Sequence, residues 1–416
     1  LDAPAPLKPV RQAAVTFIFI TVVLDVLAMG IIIPILPRLI EDFLHGDTAR
    51  AAEMFGVFAT VWALMQFFCS PIIGMLSDRF GRRRVILLSN FGLGLDYIVM
   101  ALAPTIGWLF LGRVISGITG ASFTTAGAYI ADVTPKEKRA ASYGIIGAAW
   151  GLGFILGPAL GGVLGDVNPR LPFWVASGMT LLNAMYGLFV LPESLPPEKR
   201  TPTFVWAKAN PLGSLKLLRS HHELFGLASV NFLYYVSHQV LQSVFVLYVG
   251  FRYNWDARAV GLSLALVGIG SVIVQGGLVR PVVAKIGDRR ALLFGLVSGT
   301  IGFVCWGLAP TGVLFLAAIP FGSLMGFYGP AAQGLMTHRV SASEQGQLQG
   351  ANSSVMGIAG LVGPGLFTWT FAYFIRTGRN WQLPGAPFLL GALLLAIAFV
   401  VALRVTRQRQ PAATSR

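Results

Sequence analysis

Leu102-Ala103-Pro104-Thr105 returns as Leu308-Ala309-Pro310-Thr311, 206 residues further along a chain of 416. In the same register Gly157-Pro158 returns as Gly363-Pro364, and Gly81, Arg83, Arg84, Gly144 and Gly151 are matched by Gly287, Arg289, Arg290, Gly350 and Gly357. Several matches at one ungapped offset of almost half the length point to a duplicated unit. Both copies lie in surroundings too apolar for a soluble domain.

The composition agrees. With 55% hydrophobic residues, 12% charged residues and a mean hydropathy of +0.70, the charged share is about half the roughly 25% of a soluble domain. Apolar runs long enough to cross a hydrocarbon core of about 30 Å recur twelve times, near residues 14–37, 54–76, 85–103, 106–129, 141–165, 171–192, 224–250, 259–279, 291–309, 312–336, 346–375 and 386–406. The first run is long, holds Asp25 and lacks a small-residue cleavage site, so it reads as a retained span. The expected fold is therefore an all-α membrane protein of twelve transmembrane helices in two pseudo-symmetric six-helix bundles, residues 1–192 and 224–416. Weak parallel symmetry of this kind is a mark of secondary transporters. A proline-rich segment of mixed charge, 193–223, is expected to be a cytoplasmic linker, partly helical around Pro211 to Arg219.

Charge sets the orientation. When both termini are placed in the cytoplasm, most of the 31 Lys and Arg fall on the cytoplasmic side, as the positive-inside rule requires. The net charge of +14 is then a matter of topology and of attraction to anionic lipid in the bilayer, and calls for no nucleic-acid partner. Cys69 and Cys305 both sit within apolar runs, which speaks against a disulfide framework or a metal site. No Gly-Lys-Ser/Thr phosphate loop and no nucleophile–base constellation is legible. The expectation is a protein that is not an enzyme, needs no cofactor and functions as a monomer.

After the second run comes Gly74-Met-Leu-Ser-Asp78-Arg79-Phe-Gly81-Arg82-Arg83-Arg84. It reads as a turn whose glycines permit a tight reversal and whose Asp78 can meet a helix N-terminus or an arginine. The sequence resembles the signature loop of the major facilitator superfamily, and the resemblance implies a cytoplasmic gate built from Asp78, Arg79 and Arg82, with Asp132 as an arginine partner. A plain positive-inside stop signal would account for the arginines but not for the placed Gly and Asp. The second copy keeps Gly287, Asp288, Arg289 and Arg290 but has Ala284 opposite Asp78, so the latch is expected to be asymmetric.

Asp25, Asp96 and Arg113 are the ordinarily charged side chains deep within spans, and all belong to the first half. A charge at such depth costs several kcal/mol unless paired or hydrated. The protonation of a carboxylate there follows the balance between desolvation and a nearby cation, as a proton carrier requires. A static ion pair tying helices together is the alternative. Leu111-Gly112-Arg113-Val-Ile-Ser-Gly117-Ile-Thr-Gly120 resembles the superfamily's proton-relay motif, which implies a proton-coupling role for Asp25, Asp96 and Arg113.

In the fifth span Gly153-Phe-Ile-Leu-Gly157-Pro158-Ala-Leu-Gly161-Gly162 combines close-packing small residues with a proline that frees a carbonyl. It resembles the motif of the antiporter branch. More specifically, Leu24-Asp25-Val-Leu-Ala-Met-Gly30-Ile-Ile-Ile-Pro34-Ile-Leu36-Pro37, Ala63-Leu-Met-Gln66-Phe67, Ala126-Gly-Ala-Tyr-Ile-Ala-Asp132 and Gln345-Gly-Gln-Leu-Gln-Gly350 resemble the bacterial tetracycline/proton antiporters over nearly the whole chain. The resemblance implies a multi-pass protein of the bacterial inner membrane that exports an amphipathic small-molecule substrate against inward proton flow. It gives Asp25, Asp78, Asp96 and Gln275 roles in coupling, gating or substrate contact. Proton symport of a solute, or a receptor that kept the fold and lost transport, are the rival classes. The antiporter motif opposes the first and the intramembrane acids oppose the second.

Two positions depart from that family. Ser271 and Gly299 stand where those exporters typically carry a histidine in the eighth span and an aspartate in the ninth, so the substrate need not be tetracycline itself. The seventh span offers Asn231, Tyr235, His238 and Gln242 at helical spacing on one face. Such a polar stripe must face protein or a wet cavity. With Gln66, Gln275 and Gln333, and with Asn90, Asn183 and Asn352 as further cavity candidates, these are the expected substrate contacts, interhelical hydrogen bonding being the alternative use.

Overall fold

The computed structural model describes residues 9–120, 122–134, 139–201, 213–215, 217–218, 222–341, 344–376 and 382–406. All regular structure among these residues is helical. In the first half α1 spans Pro9–Ile32, α2 Leu36–Phe43, α3 Thr48–Phe80, α4 Arg82–Leu102, α5 Ile106–Thr119, α6 Ser122–Val133, α7 Arg139–Val167 and α8 Leu171–Val190. In the second half α9 spans His222–Ser243, α10 Phe245–Tyr253, α11 Ala257–Val272, α12 Val279–Ile286, α13 Asp288–Leu308, α14 Gly312–Ala317, α15 Ile319–Ser323, α16 Tyr328–Thr337, α17 Gln345–Ile375 and α18 Ala386–Val405.

Ten helical segments among the described residues are each long and apolar enough to cross a membrane, and Leu224–Ser243 with Phe245–Tyr253, bent by 51°, makes an eleventh. The remaining expected span is carried by α5 and α6, which follow one another around Gly120. Proline and glycine explain where other spans break. Pro34 stands in the turn between α1 and α2, and the tenth span is divided into α14, α15, a 3-10 turn at Leu324–Phe327 and α16, with Pro320 opening α15. The helix expected around Pro211 to Arg219 lies mostly outside the described residues.

The repeat is written into the backbone. Gly81, with φ 100° and ψ 148°, and Gly287, with φ 81° and ψ 157°, precede α4 and α13, both 21 residues long. Ala103, at φ −50° and ψ 116°, and Ala309, at φ −54° and ψ 117°, end those helices. Each alanine precedes a proline, which disfavours the helical region for the residue before it. In the first half Arg170 donates to the carbonyls of Ala101 at 2.7 Å and Ala103 at 2.9 Å, serving acceptors that the end of α4 leaves open.

The chain divides into two compact units, Leu1–Asn210 with Val249–Gly268 and Pro211–Tyr248 with Ile269–Arg416. In the first unit α1 and α7 cross at bare backbone. A Cβ on Gly157 would lie 2.6 Å from Cα of Gly30, and one on Gly161 would overlap the carbonyl of Ile31. The same helix packs its other face on α11, where a Cβ on Gly162 would lie 2.5 Å from the carbonyl oxygen of Ala257. Without a strong hydrophobic drive between helices in lipid, such close approach is what makes them adhere. The second unit instead fills its centre with rings: Trp306, Phe315, Phe303, Phe388 and Tyr248 pack together, with Tyr248 Oη donating to the Trp306 carbonyl at 2.8 Å and Trp306 Nε1 to that of Phe315 at 3.1 Å.

Candidate functional site

Helices α1, α4 and α8 bring Asp25 into a buried polar cluster. Asp25 is 4% exposed, and Asn183 Nδ2 donates both to its Oδ1 at 2.8 Å and to the Thr21 carbonyl at 2.9 Å. Asn90 also hydrogen-bonds the Asp25 carboxylate. Asp96 lies almost two turns further along α4 and is 1% exposed, and neither of its carboxylate oxygens has a hydrogen-bond partner among the described residues. Its Oδ1 would lie 3.1 Å from a Cβ on Gly112, the residue before Arg113. The Arg113 guanidinium sits 5.3 Å from the centroid of the Trp62 ring, and its Nε is likewise buried without a described partner. Tyr97, also buried, is within electrostatic reach of Asp25, Asp96 and Arg113.

Of the three ionisable residues singled out in the sequence, Asp96 and Arg113 are thus neighbours, but not as a closed ion pair, while Asp25 sits in its own polar cluster. Asp25 is solvated by two amides, whereas Asp96 and Arg113 attract each other without a hydrogen bond to Asp96. A buried carboxylate lacking partners is costly, and in a transmembrane span such a group is rare. Tyr97 and Trp62 were not legible in the sequence, because an aromatic residue in an apolar run looks the same whether it packs lipid or an arginine.

At the junction of α3 and α4 the stretch from Gly74 to Phe80 is helical, and Gly81 alone makes the turn. Its φ of 100° is open to glycine and strained for other residues. A Cβ there would also overlap the carboxylate of Glu193. Arg82 is the hub: its Nη1 meets Asp78 Oδ1 at 2.5 Å and donates to Ser77 Oγ at 2.6 Å, while its Nε donates to Asp132 Oδ2 at 3.1 Å. Ser194 Oγ donates to the same Asp132 oxygen at 3.1 Å. Glu193 Oε1 accepts the first two amides of α4, from Arg82 at 2.9 Å and Arg83 at 3.4 Å, and the amide of Leu195 at 3.1 Å. A carboxylate is well placed against the exposed N–H groups and positive end of a helix. Arg79 stands apart, exposed, with its guanidinium 5.3 Å from the ring of its neighbour Phe80.

The segment after α8, read as linker, therefore begins docked on the rim. Thr201 N donates to the Asp78 carbonyl at 3.1 Å, Tyr129 Oη to that of Pro192 at 2.9 Å, and Arg200 Nη2 approaches Glu193 Oε2 at 3.8 Å. Glu193 was missed for want of a signal: an acid in a proline-rich stretch 111 residues from its partner has no local pattern to betray it.

In the second unit the seventh-span stripe divides. Asn231 is buried and already engaged: Tyr328 Oη donates to its Oδ1 at 2.5 Å, and its Nδ2 reaches Asn352 Oδ1 and the Met336 sulfur, both at 3.2 Å. Asn352 Nδ2 in turn donates to Gln333 Oε1 at 3.2 Å. Tyr234 stacks on Tyr328 with centroids 3.8 Å apart, and His238 follows at 6.2 Å from Tyr234. Asn231, Tyr235, Gln333 and Asn352 line one cavity of about 160 Å³ together with Gln349 and Ser353. Gln242 is exposed at the end of α9, one residue before the chain bends, and is not among the cavity's lining. In the first unit Gln66 packs on Gly120, where a Cβ would lie 2.7 Å from its Nε2. Gln275 lies in a π-helical turn, Ile273–Leu278, beside Gly326. Such turns are frequent at functional sites. At Gly299 a Cβ would lie 2.8 Å from the Met325 sulfur and 3.0 Å from Leu395 Cδ1, so packing occupies the space that an aspartate would need.

The Major Facilitator Superfamily model matches residues 18–364 and 227–416. The chain is 34% identical to the class C tetracycline resistance protein of Escherichia coli over 377 residues, covering 91% of this chain and 93% of that one. It is 34% identical to the class G tetracycline resistance protein of Vibrio anguillarum over 405 residues, covering 97% and 99%. Among solved structures, the nucleoside transporter NupG superposes with a TM-score of 0.77 at 12% identity, covering 97% of this chain and 100% of that one, a likeness of fold. With the helical duplication, the intramembrane acids and the glycine-turned rim network, these matches place this chain in the major facilitator superfamily of membrane transporters.

Proposed function

We propose that this chain is a proton-coupled antiporter that exports an amphipathic, drug-like small molecule. The observation that carries the reading is the pair of buried acids: Asp25 held by amides, and Asp96 with no hydrogen bond of its own among the described residues, beside Arg113. A proton arriving at either carboxylate removes a charge from the apolar interior. The resulting change, in the attraction to Arg113 for Asp96 and in the need for amide partners for Asp25, is the differential interaction that can bias one conformation over another. Substrate binding favours the opposite conformation, and the two ligands exchange across the membrane by alternating access.

The drug class rests on the tetracycline resistance proteins, similar over nine-tenths of the chain or more. We assign proton coupling to Asp25, Asp96 and Arg113, gating to Asp78, Arg82 and Asp132, with Arg79 at the same rim, and packing in the antiporter motif to Gly153, Gly157, Pro158, Gly161 and Gly162. Within this proposal the protein works as a monomer in a bacterial inner membrane with both termini cytoplasmic, and residues 1–192 and 224–416 form the two bundles. The test is proton release from everted vesicles on adding tetracycline or members of a drug panel. Acid-loaded vesicles that lose protons on drug addition support exchange, and drug uptake with no proton movement overturns it.

A further inference from the structure

The cavity in the second unit is chemically unlike the acid cluster of the first. Its walls are neutral. Gln349, Asn352 and Ser353 come from one face of α17 at i, i+3 and i+4, Gln333 comes from α16, and Tyr235 closes it with a ring and a hydroxyl. Among the described residues no carboxylate, imidazole, thiol or basic side chain lines it. A relay runs through its wall, in which Asn231 binds Asn352 and Asn352 binds Gln333, with Gln333 Nε2 continuing to Thr337 Oγ1 at 3.3 Å. Asn231 and Asn352 are therefore committed to holding the wall in shape, while Gln349 and Ser353, both exposed, make no side-chain hydrogen bond to another described residue.

We propose that this cavity is the subsite that selects the uncharged, hydrogen-bonding edge of the exported compound, a primary carboxamide, with Gln349 and Ser353 as the specificity-determining contacts. The inference rests on the drug-export reading and specifies its substrate. Three properties point to this chemistry. A volume of about 160 Å³ is below the roughly 300 Å³ at which whole drug-sized ligands are accommodated, so one polar edge enters and the rest of the molecule stays outside. A glutamine side chain presents a donor and an acceptor in one plane, which a carboxamide returns in the opposite sense. A charged group would find no counter-charge in the wall and would lose its hydration without compensation. The ring of Tyr235 beside the amides suits the flat carbon framework that such an edge terminates.

The experiment is equilibrium binding to the purified full chain of tetracycline and of the analogue whose primary carboxamide is converted to a nitrile, which keeps the ring system but loses the N–H donors. Gln349→Ala is expected to weaken tetracycline binding about tenfold and to change nitrile binding less than about twofold, with Ser353→Ala giving the same pattern at smaller amplitude. Helical content and thermal midpoint equal to those of the unaltered protein report that the variants fold, and Gln349→Asn provides a second, shorter amide with partial binding. Equal losses for both compounds, or tetracycline binding unchanged by Gln349→Ala, overturn the subsite while leaving drug/proton exchange standing. No tetracycline binding by the unaltered protein also overturns it. Carboxamide-selective binding without proton movement in vesicles supports the subsite and overturns the exchange reading instead.

Discussion

Asp288 and His338 face each other at 4.0 Å and repeat, with charges exchanged, the contact of Arg82 and Asp132 that stands 206 residues earlier at 3.1 Å. In the first copy the cation lies at the start of α4 and the acid near the end of α6. In the second the acid lies at the start of α13 and a histidine, ionic only when protonated, just past α16. This explains Ala284. A carboxylate there would mirror Asp78, but it would stand four residues from Asp288 instead of from an arginine. The contacts of the two copies differ because the polarity of the second is reversed.

Ala284→Asp is therefore expected to cost about 0.5 kcal/mol, the size of a like-charge contact four residues apart. Combining it with Asp288→Arg and His338→Asp rebuilds the trio of the first half and should restore the thermal midpoint. Melting curves in detergent for the single and triple variants decide it, and a triple variant no better than the single one counts against the exchanged-polarity account.

Asp25→Asn is expected to abolish uphill export while leaving expression and drug binding intact. An amide oxygen at this place can still accept the hydrogen bond from Asn183 Nδ2, so the helices keep their contact and only the titrating proton is lost. Drug-driven pH change in vesicles is the readout, and its survival in the variant would remove Asp25 from the coupling path.

Glu193→Ala should destabilise the first unit by about 1 kcal/mol, the usual worth of an N-terminal helix cap, because the amides of Arg82, Arg83 and Leu195 lose their acceptor together. Gly81→Ala should cost at least as much, since it adds the strain of φ 100° to an overlap with the Glu193 carboxylate. Limited proteolysis of 193–201 and the thermal midpoint both report the change. Cleavage rates like those of the unaltered chain would mean that Glu193 does not hold this segment.

The glycines should separate sharply by context. Gly157→Val forces apart backbones already in contact at Gly30 and is expected to prevent accumulation of folded protein. Gly74→Ala, inside α3 with nothing within 4 Å of the added carbon, should be neutral or stabilise by up to about 1 kcal/mol through helix propensity. Expression and melting of both variants test the contrast.

The apolar period, the 206-residue repeat and the charges of the short loops were enough to give a duplicated all-helical membrane protein, because in lipid a backbone must satisfy its own hydrogen bonds and span length is dictated by bilayer thickness. Asp25, Asp96 and Arg113 announced themselves for the same reason: a charge in an apolar run has no cheap explanation. What the sequence could not contain was which distant side chains answer those charges and the open helix ends. Asn183 at Asp25, Trp62 at Arg113 and Glu193 at the head of α4 are each brought in from distant elements. The same limit applied to the seventh span, where helical spacing put Asn231, Tyr235, His238 and Gln242 on one face, but only tertiary packing assigned Asn231 to Tyr328 and Asn352, left Tyr235 on a cavity and turned the chain away after Gln242. Period and composition report which side of a helix is polar. The identity of the partner it meets is decided by distances between segments far apart in the chain, and these exist only once the helices have packed.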